Sequence, residues 1–517
     1  MLKILFFLFF FSCTLFAQSD KELIELSKSI KAEDLKKHLS VLASDAYEGR
    51  ETGEYGQKIA AKYLSEFYEE NNIASLQDTS YLQSYPILSE RPKDAVIKVD
   101  GKSYKVNKDF YYFPRFETQE LKASKIIFAG YGISDSLYDD YKGLDVANKI
   151  VVIFDGEPMT KDSIYLVSGT KKPSKWNNSW RVKAALANKL NINCLLIIDP
   201  DFDKNVKAEK HRIEKPYSHL EGSKRSDDSP FMFLSVKTAK RILGKKTIDK
   251  VKKEILTQRK STPVIIEKKL EISIVRETST FVGDNVLACI KGTEYKDEYI
   301  VISAHYDHLG KHDGQVFYGA DDDGSGTVAV MELAQAFKDA ENKGFKPKRS
   351  ILFLNFSGEE KGLLGSDYYT QKPIVPLKNT VANFNIDMIG RLDKPHENNS
   401  NYVYLIGADK LSSDLHKISE EANRKFTKID LDYSFNKPGD PNRYYYRSDH
   451  YNFAKNNIPV IFYFNGVHAD YHKSTDTVDK IDFNKMEKIT RLVFHTVWEV
   501  ANKKERLKID KTNDFKN

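Results

Sequence analysis

Cysteine is nearly absent: three occur in 517 residues, at positions 13, 194 and 289. So few thiols leave no disulfide framework on which a fold of this size could depend. Cys194 in "NINCLLII" and Cys289 in "NVLACIKG" sit in apolar, strand-like runs and are expected as unpaired core thiols. A charge bias is lacking too. The 80 basic and 74 acidic residues leave a formal charge of +6, with lysines scattered and no basic stripe, which argues against a nucleic-acid partner. Beyond the N-terminus no run is long and apolar enough to span a bilayer. There is no H-E-x-x-H helix, no G-x-S-x-G elbow to present a serine nucleophile, and no phosphate-binding glycine loop with its lysine. Internal repeats and low-complexity segments are also missing.

What is present begins with "MLKILFFLFFFSCTLFAQSD", where Lys3, an apolar stretch from Ile4 to Phe11 and the small Ala17 read as a secretory signal peptide cleaved near residue 17. Export to the periplasm or the medium follows, with lipid attachment at Cys13 as the lesser alternative. Hydrophobic residues at 40% and aromatics at 12% suit a globular chain, and the length favours two or more domains.

Two helical patterns, "IELSKSIKAEDLKKHLSVLAS" and "GQKIAAKYLSEFYEENN", flank the Gly-rich loop "DAYEGRETGEYG". Short strands and turns follow, marking a β-rich insert over 96–265. From "NVLACIKG" onward strands and helices alternate, with the apolar strands "YIVISAHYD", "SILFLNFSG", "VANFNIDMIG", "NYVYLIGA" and "IPVIFYFNG". That alternation predicts an α/β layer with a mixed, largely parallel central sheet flanked by helices. The expected parts are a signal over 1–17, a core domain made of 18–95 and 266–505, the insert between them, and a polar tail over 506–517.

Ligands in open α/β sheets bind at the carboxyl ends of the strands, and several strands here end in metal-binding residue types. "YIVISAHYDHLG" ends in His305, Asp307 and His308, and "SILFLNFSGEEKG" in Glu359 and Glu360. "VANFNIDMIG" carries Asp387, and the loop after "IPVIFYFNG" contains His468 and His472. Imidazole and carboxylate together are a zinc ligand set, and carboxylates can bridge two metals. The three adjacent charges of "GADDDGSG" need compensation. They do not form a calcium loop, because Gly319 and Val330 stand where its first and last acidic ligands belong. His308, His312 and His468 read as surface or outer residues.

The motifs "SAHYDHLG", "GADDDGSG", "NFSGEEKGLLGS", "NIDMIG" and "YHKSTDT", in this order over residues 300 to 480, resemble those of the secreted co-catalytic zinc aminopeptidases and related carboxypeptidases. "DAYEGRETGEYGQKIAAKYL" extends the likeness to the N-terminal helices, and the insert resembles a protease-associated domain. The resemblance implies two zinc ions per chain. His305 and Asp387 hold one, Glu360 and His472 the other, and Asp322 bridges them. It further implies Glu359 as general base, Asp307 as the carboxylate behind the ligand histidine, Tyr471 as an oxyanion donor, and a cis Asp322–Asp323 bond. "YYYRSDHYNF", with Ser448, Asp449 and His450, resembles another family segment but is assigned no role. The family usually carries Asn at the position of Asp321. The implied activity is removal of N-terminal residues from peptides by a zinc-activated water. A one-zinc glutaminyl cyclase, a carboxypeptidase or dipeptidase, and a binding module with a structural metal are the alternatives. Arg443 and Arg447 are candidates to hold a substrate carboxylate.

Overall fold

The computed structural model describes residues 20–512 except 78–79, 114–115, 117, 224–228, 261–262 and 438. The expected signal peptide, with Cys13, lies outside the described residues, as do residues 513–517 of the polar tail. Among the described residues no helix is long and apolar enough to cross a membrane.

Two compact units divide the chain, Met1–Pro86 with Phe281–Asn517, and Ile87–Thr280. The change of texture in the sequence places the edges of the insert at 96 and 265. The units change instead inside two long strands, Leu82–Val99 and Val264–Ile290. Pro86 stands at the first edge and Gly283 beside the second, but the strands run on through both, so neither residue marks a break in the chain's extended run.

In the larger unit five strands form the centre of the sheet: β1 (Tyr295–His305), β2 (Arg349–Phe356), β3 (Thr380–Ile386), β4 (Tyr402–Ile406) and β5 (Val460–Phe464). Their order is β4-β5-β3-β1-β2, with Asp430–Asp432 beyond β4 and residues 286–290 beyond β2. The β1–β2, β1–β3 and β3–β5 pairs are parallel, and β4 runs antiparallel to β5.

Both faces of the sheet are covered, so the strands are apolar throughout rather than alternating. On β1, Ile300, Ile302 and Ala304 face a core shared with helices α1 (Gly326–Asn342) and α2 (Phe483–Asn502). There Phe337 stacks on Trp498 with ring centroids 5.8 Å apart. Tyr299 and Val301 face the opposite core, with Leu352, Leu354 and Phe453.

The N-terminal pattern expected as one helix is two, Asp20–Ser27 and Ala32–Leu42. Ile30 is fully buried within the break, so the apolar spacing continues although the helix does not.

The Ile87–Thr280 unit has its own core and a sheet in which Gln119–Phe128, Ile150–Phe154, Cys194–Asp199 and Phe231–Ser235 run parallel. Cys194 and Cys289 are free and buried, and burial pushes both thiols up, Cys289 to about 12.

Candidate metal centre

The site is built at the carboxyl ends of β1, β2 and β3 and at the turn that opens α1. His305 is the last residue of β1, and its carbonyl accepts from Thr327 Oγ1 at 2.7 Å. Its Nδ1 lies 3.0 Å from the Asp307 carbonyl. A proton donated there leaves the Nε2 lone pair facing the cavity. That Nε2 is 3.3 Å from Asp322 Oδ1, 3.8 Å from Asp387 Oδ2 and 4.0 Å from Glu359 Oε2. On the other side of Asp322, its Oδ2 is 3.1 Å from His472 Nε2, and Glu360 Oε2 is 3.3 Å from the same nitrogen. Asp322 thus presents one oxygen to each of two donor groups. His308, Asp322 and Glu360 also converge, as do His305, Asp323 and Asp387.

Asp323 is committed elsewhere, although its carboxylate is near enough to join the first group. Its Oδ1 accepts from Gly326 N at 2.8 Å and Met388 N at 3.1 Å, and its Oδ2 from His305 N at 3.3 Å. It ties the ends of β1 and β3 to the start of α1. The Asp322–Asp323 peptide is cis. Gly326 is required where the three segments meet, because a Cβ there would lie 2.2 Å from the Ile386 carbonyl.

Asp321 makes a second fastening, with Oδ1 accepting from Gly390 N at 2.6 Å and Oδ2 lying 3.3 Å from His468 Nε2. His468 is buried rather than on the surface. Asp476 Oδ2 accepts from the backbone N–H groups of both Asp321 and Asp322.

The deepest support comes from the Gly-rich N-terminal loop. Arg50 is fully buried and donates to the carbonyls of Leu42, Tyr306, Tyr318 and Gly319 at 2.7–2.8 Å. It thereby holds the backbone on both sides of the metal-binding residue types. Thr52 Oγ1 donates to Asp307 Oδ2 at 2.6 Å and accepts from Gly358 N at 2.9 Å. Asp307 Oδ1 accepts from Glu359 N at 3.2 Å. The Asp307 carboxylate therefore braces the β2 loop, and it is the carbonyl of Asp307, rather than the expected carboxylate, that lies closest to His305 Nδ1. Thr52→Val removes both bonds of that hydroxyl. A fall in kcat/KM of about 10–100-fold with folding retained is expected, measured by steady-state kinetics beside circular dichroism.

Burial and like charge set the electrostatics of the cluster. Desolvation lifts Glu359 well above the ordinary carboxylate range; the His305 charge opposes this, and Glu360, Asp387 and Asp449 add to it. Burial likewise raises Asp387 to about 6 and Asp449 to about 7. Glu360 falls to about 2, because the adjacent His308 and His472 outweigh its burial and the charge of Asp322. A cluster so rich in buried carboxylate oxygens needs cationic compensation. Among its atoms, Asp322 Oδ2 has no hydrogen-bond partner. Oxygen and imidazole donors at these spacings fit divalent zinc.

His305, Asp322, Glu359, Glu360, Asp387 and His472 are thus brought together. Tyr471 lies at the edge of the same cavity, its ring stacked on His472 at 3.9 Å and its hydroxyl 3.4 Å from Arg447 Nη2. Ser448 donates to Asp387 Oδ2 at 2.6 Å. His450 is a core ring, 4.5 Å from that of Phe462 and lowered by burial to about 3. His312 is exposed beside Glu51. The roles of Arg50, Thr52 and Asp476 and the burial of His308 escaped sequence reasoning; the pointers were the Gly-rich motif around residues 49–53 and the presence of His308 and Asp476 in "SAHYDHLG" and "YHKSTDT".

A mixed, largely parallel sheet with converging acid and imidazole side chains at its carboxyl end defines the zinc-exopeptidase fold. Residues 285–497 match the model of Peptidase family M28. A probable leucine aminopeptidase of Arthroderma otae is 32% identical over 224 residues, covering 42% of this chain and 57% of that protein. The probable glutamate carboxypeptidase LAMP1 of Arabidopsis thaliana is 34% identical over 119 residues, covering 23% of this chain and 16% of its own length. The chain thus spans less than two thirds of either relative. The solved aminopeptidase from Aneurinibacillus sp. strain AM-1 shares the fold, with a TM-score of 0.56 at 18% identity, covering 96% of this chain and 98% of that one.

Proposed function

We propose that this protein is an exported zinc exopeptidase, an aminopeptidase that removes N-terminal residues using two zinc ions. The carrying observation is the bridging geometry of Asp322, with one oxygen 3.3 Å from His305 Nε2 and the other 3.1 Å from His472 Nε2. His305 and Asp387 would hold one ion, and Glu360 and His472 the other. When bound, the pair supplies Lewis acidity that polarises the scissile carbonyl and brings the pKa of water toward neutrality.

The chain's own groups do the rest. Glu359 takes the proton from the attacking water and delivers it to the leaving amine. Its backbone is fixed through Asp307 and its carboxylate lies beside His305. Ser448 orients the Asp387 carboxylate. The Tyr471 hydroxyl is available to donate toward the developing oxyanion. The cavity beside these groups is lined by Met388, Phe462, Phe464 and Val467, a surface suited to an apolar leading side chain. The Ile87–Thr280 unit, with its separate core, we read as a protease-associated-like insert.

One observation favours a second reading, a carboxypeptidase or dipeptidase: Arg447 lines the same cavity, held on Tyr471 and over the Tyr444 ring. One peptide in three forms separates the readings: unmodified, N-acetylated and C-amidated. An aminopeptidase releases the first residue from the unmodified and amidated forms but not from the acetylated one. Release of the last residue from the acetylated form would establish the carboxypeptidase reading instead.

A further inference from the structure

His308 read from the sequence as a surface or outer residue, yet its side chain is fully buried. Its Nδ1 is 2.9 Å from Glu360 Oε1 and 3.9 Å from Asp322 Oδ2. Neither ring nitrogen makes a hydrogen bond, and Asp322 Oδ2 has no hydrogen-bond partner either. Buried polar atoms are almost always paired, so an imidazole whose Nδ1 meets nothing but carboxylate oxygens, at 2.9 and 3.9 Å, calls for a reason. His450 is equally buried, but it packs on Phe462 and belongs to no converging donor group among the described residues.

The ring of His308 is also fixed in place. Gly319, at φ +52°, packs so closely that a Cβ there would lie 2.5 Å from His308 Cγ. The parallel bridge from Glu51 and the bond from His308 N to the Arg50 carbonyl hold its backbone. Donors bound about 2.0–2.2 Å from one zinc ion lie about 3–4 Å from one another; His308 Nδ1 is 2.9 and 3.9 Å from the two carboxylate oxygens, and the three residues' donor atoms all lie within 4.8 Å of one another.

We infer that His308, through Nδ1, is a ligand of the second metal position, beside Asp322 and Glu360. The inference rests on the two-ion reading above and adds to it a third imidazole. The geometry gives the two histidines of that position different parts. His308 is sealed in the protein, while the His472 side chain is 37% exposed. The buried ring holds the ion, and the exposed one forms the solvent side of the site.

Two experiments test this. In the zinc-loaded wild-type protein, X-ray absorption fine structure should count three imidazoles over two ions; a count of two overturns the inference. In His308→Ala and His308→Gln, titration against chelator-buffered zinc should show the second ion bound at least 10-fold more weakly and the first unchanged. Retained wild-type affinity for both ions overturns this inference and leaves the two-ion reading standing. A wild-type chain that takes up one ion only overturns the two-ion reading, and this inference with it.

Discussion

Glu359→Ala is expected to lower kcat by about 10²–10⁴-fold, the range for removing a positioned general base, with zinc uptake unchanged. Glu359 and Glu360 are adjacent, but the chain separates their surroundings. Glu360 faces His308 and His472, and their attraction keeps it ionised. Glu359 sits 4.0 Å from His305 Nε2, lifted by burial, with its backbone bonded to Asp307. Losing Glu359 leaves the other donor side chains in place, so kcat should fall while KM changes little, as when an interaction made only in the transition state is removed. Parallel kinetics and zinc analysis of the variant provide the check. Activity within a few-fold of wild type would remove Glu359 from the mechanism.

Arg50→Leu carries the largest expected cost in stability, about 3–5 kcal/mol, the range for breaking up a buried charged network. Four carbonyls now accept from this one guanidinium. Leucine fills part of the volume but donates to none of them, and buried acceptors left unpaired each cost about 1–3 kcal/mol. Burial lowers the guanidinium pKa only to about 10, with Asp307 and Asp476 foremost in holding it up, so the group stays charged at neutral pH. Arg50→Lys should recover part of the loss, since an ammonium has three donors and no planar fork. Chemical denaturation of both variants, followed by activity at sub-denaturing concentrations, tests this. A wild-type midpoint for Arg50→Leu would contradict it.

These two residues mark where the sequence is legible and where it is not. Glu359 stands in a dense motif at the end of an apolar strand, where position in an α/β sheet and residue type agree. His305, Glu360 and Asp387 stand at strand ends in the same way, whereas Asp322 and His472 are reached through the resemblance of their motifs. Arg50 lies more than 250 positions before Tyr306, whose carbonyl it binds, and no periodicity joins a loop arginine to a distant backbone oxygen. Thr52 and Asp307 are the same case. His308 shows a different limit. A histidine after a strand most often belongs to a turn, and only burial against Gly319 turns it inward.

The triple aspartate was legible in part. Its middle member is the bridging candidate. Asp323 binds three backbone N–H groups, and Asp321 fastens Gly390 and faces His468. Only coordinates could assign those two carboxylates to the backbone rather than to a metal. The parallel sheet was readable from its continuous apolar strands, and the unit edges were not, because they fall inside strands.

The central claim is that these buried carboxylates and imidazoles work as a two-ion hydrolytic centre, and a zinc titration of the metal-stripped protein tests it most directly. Cleavage of an unblocked peptide should be absent in the stripped chain, return as zinc is added, and reach its plateau at two equivalents per chain. Full peptide cleavage by the stripped protein, with chelator still present, would contradict the account.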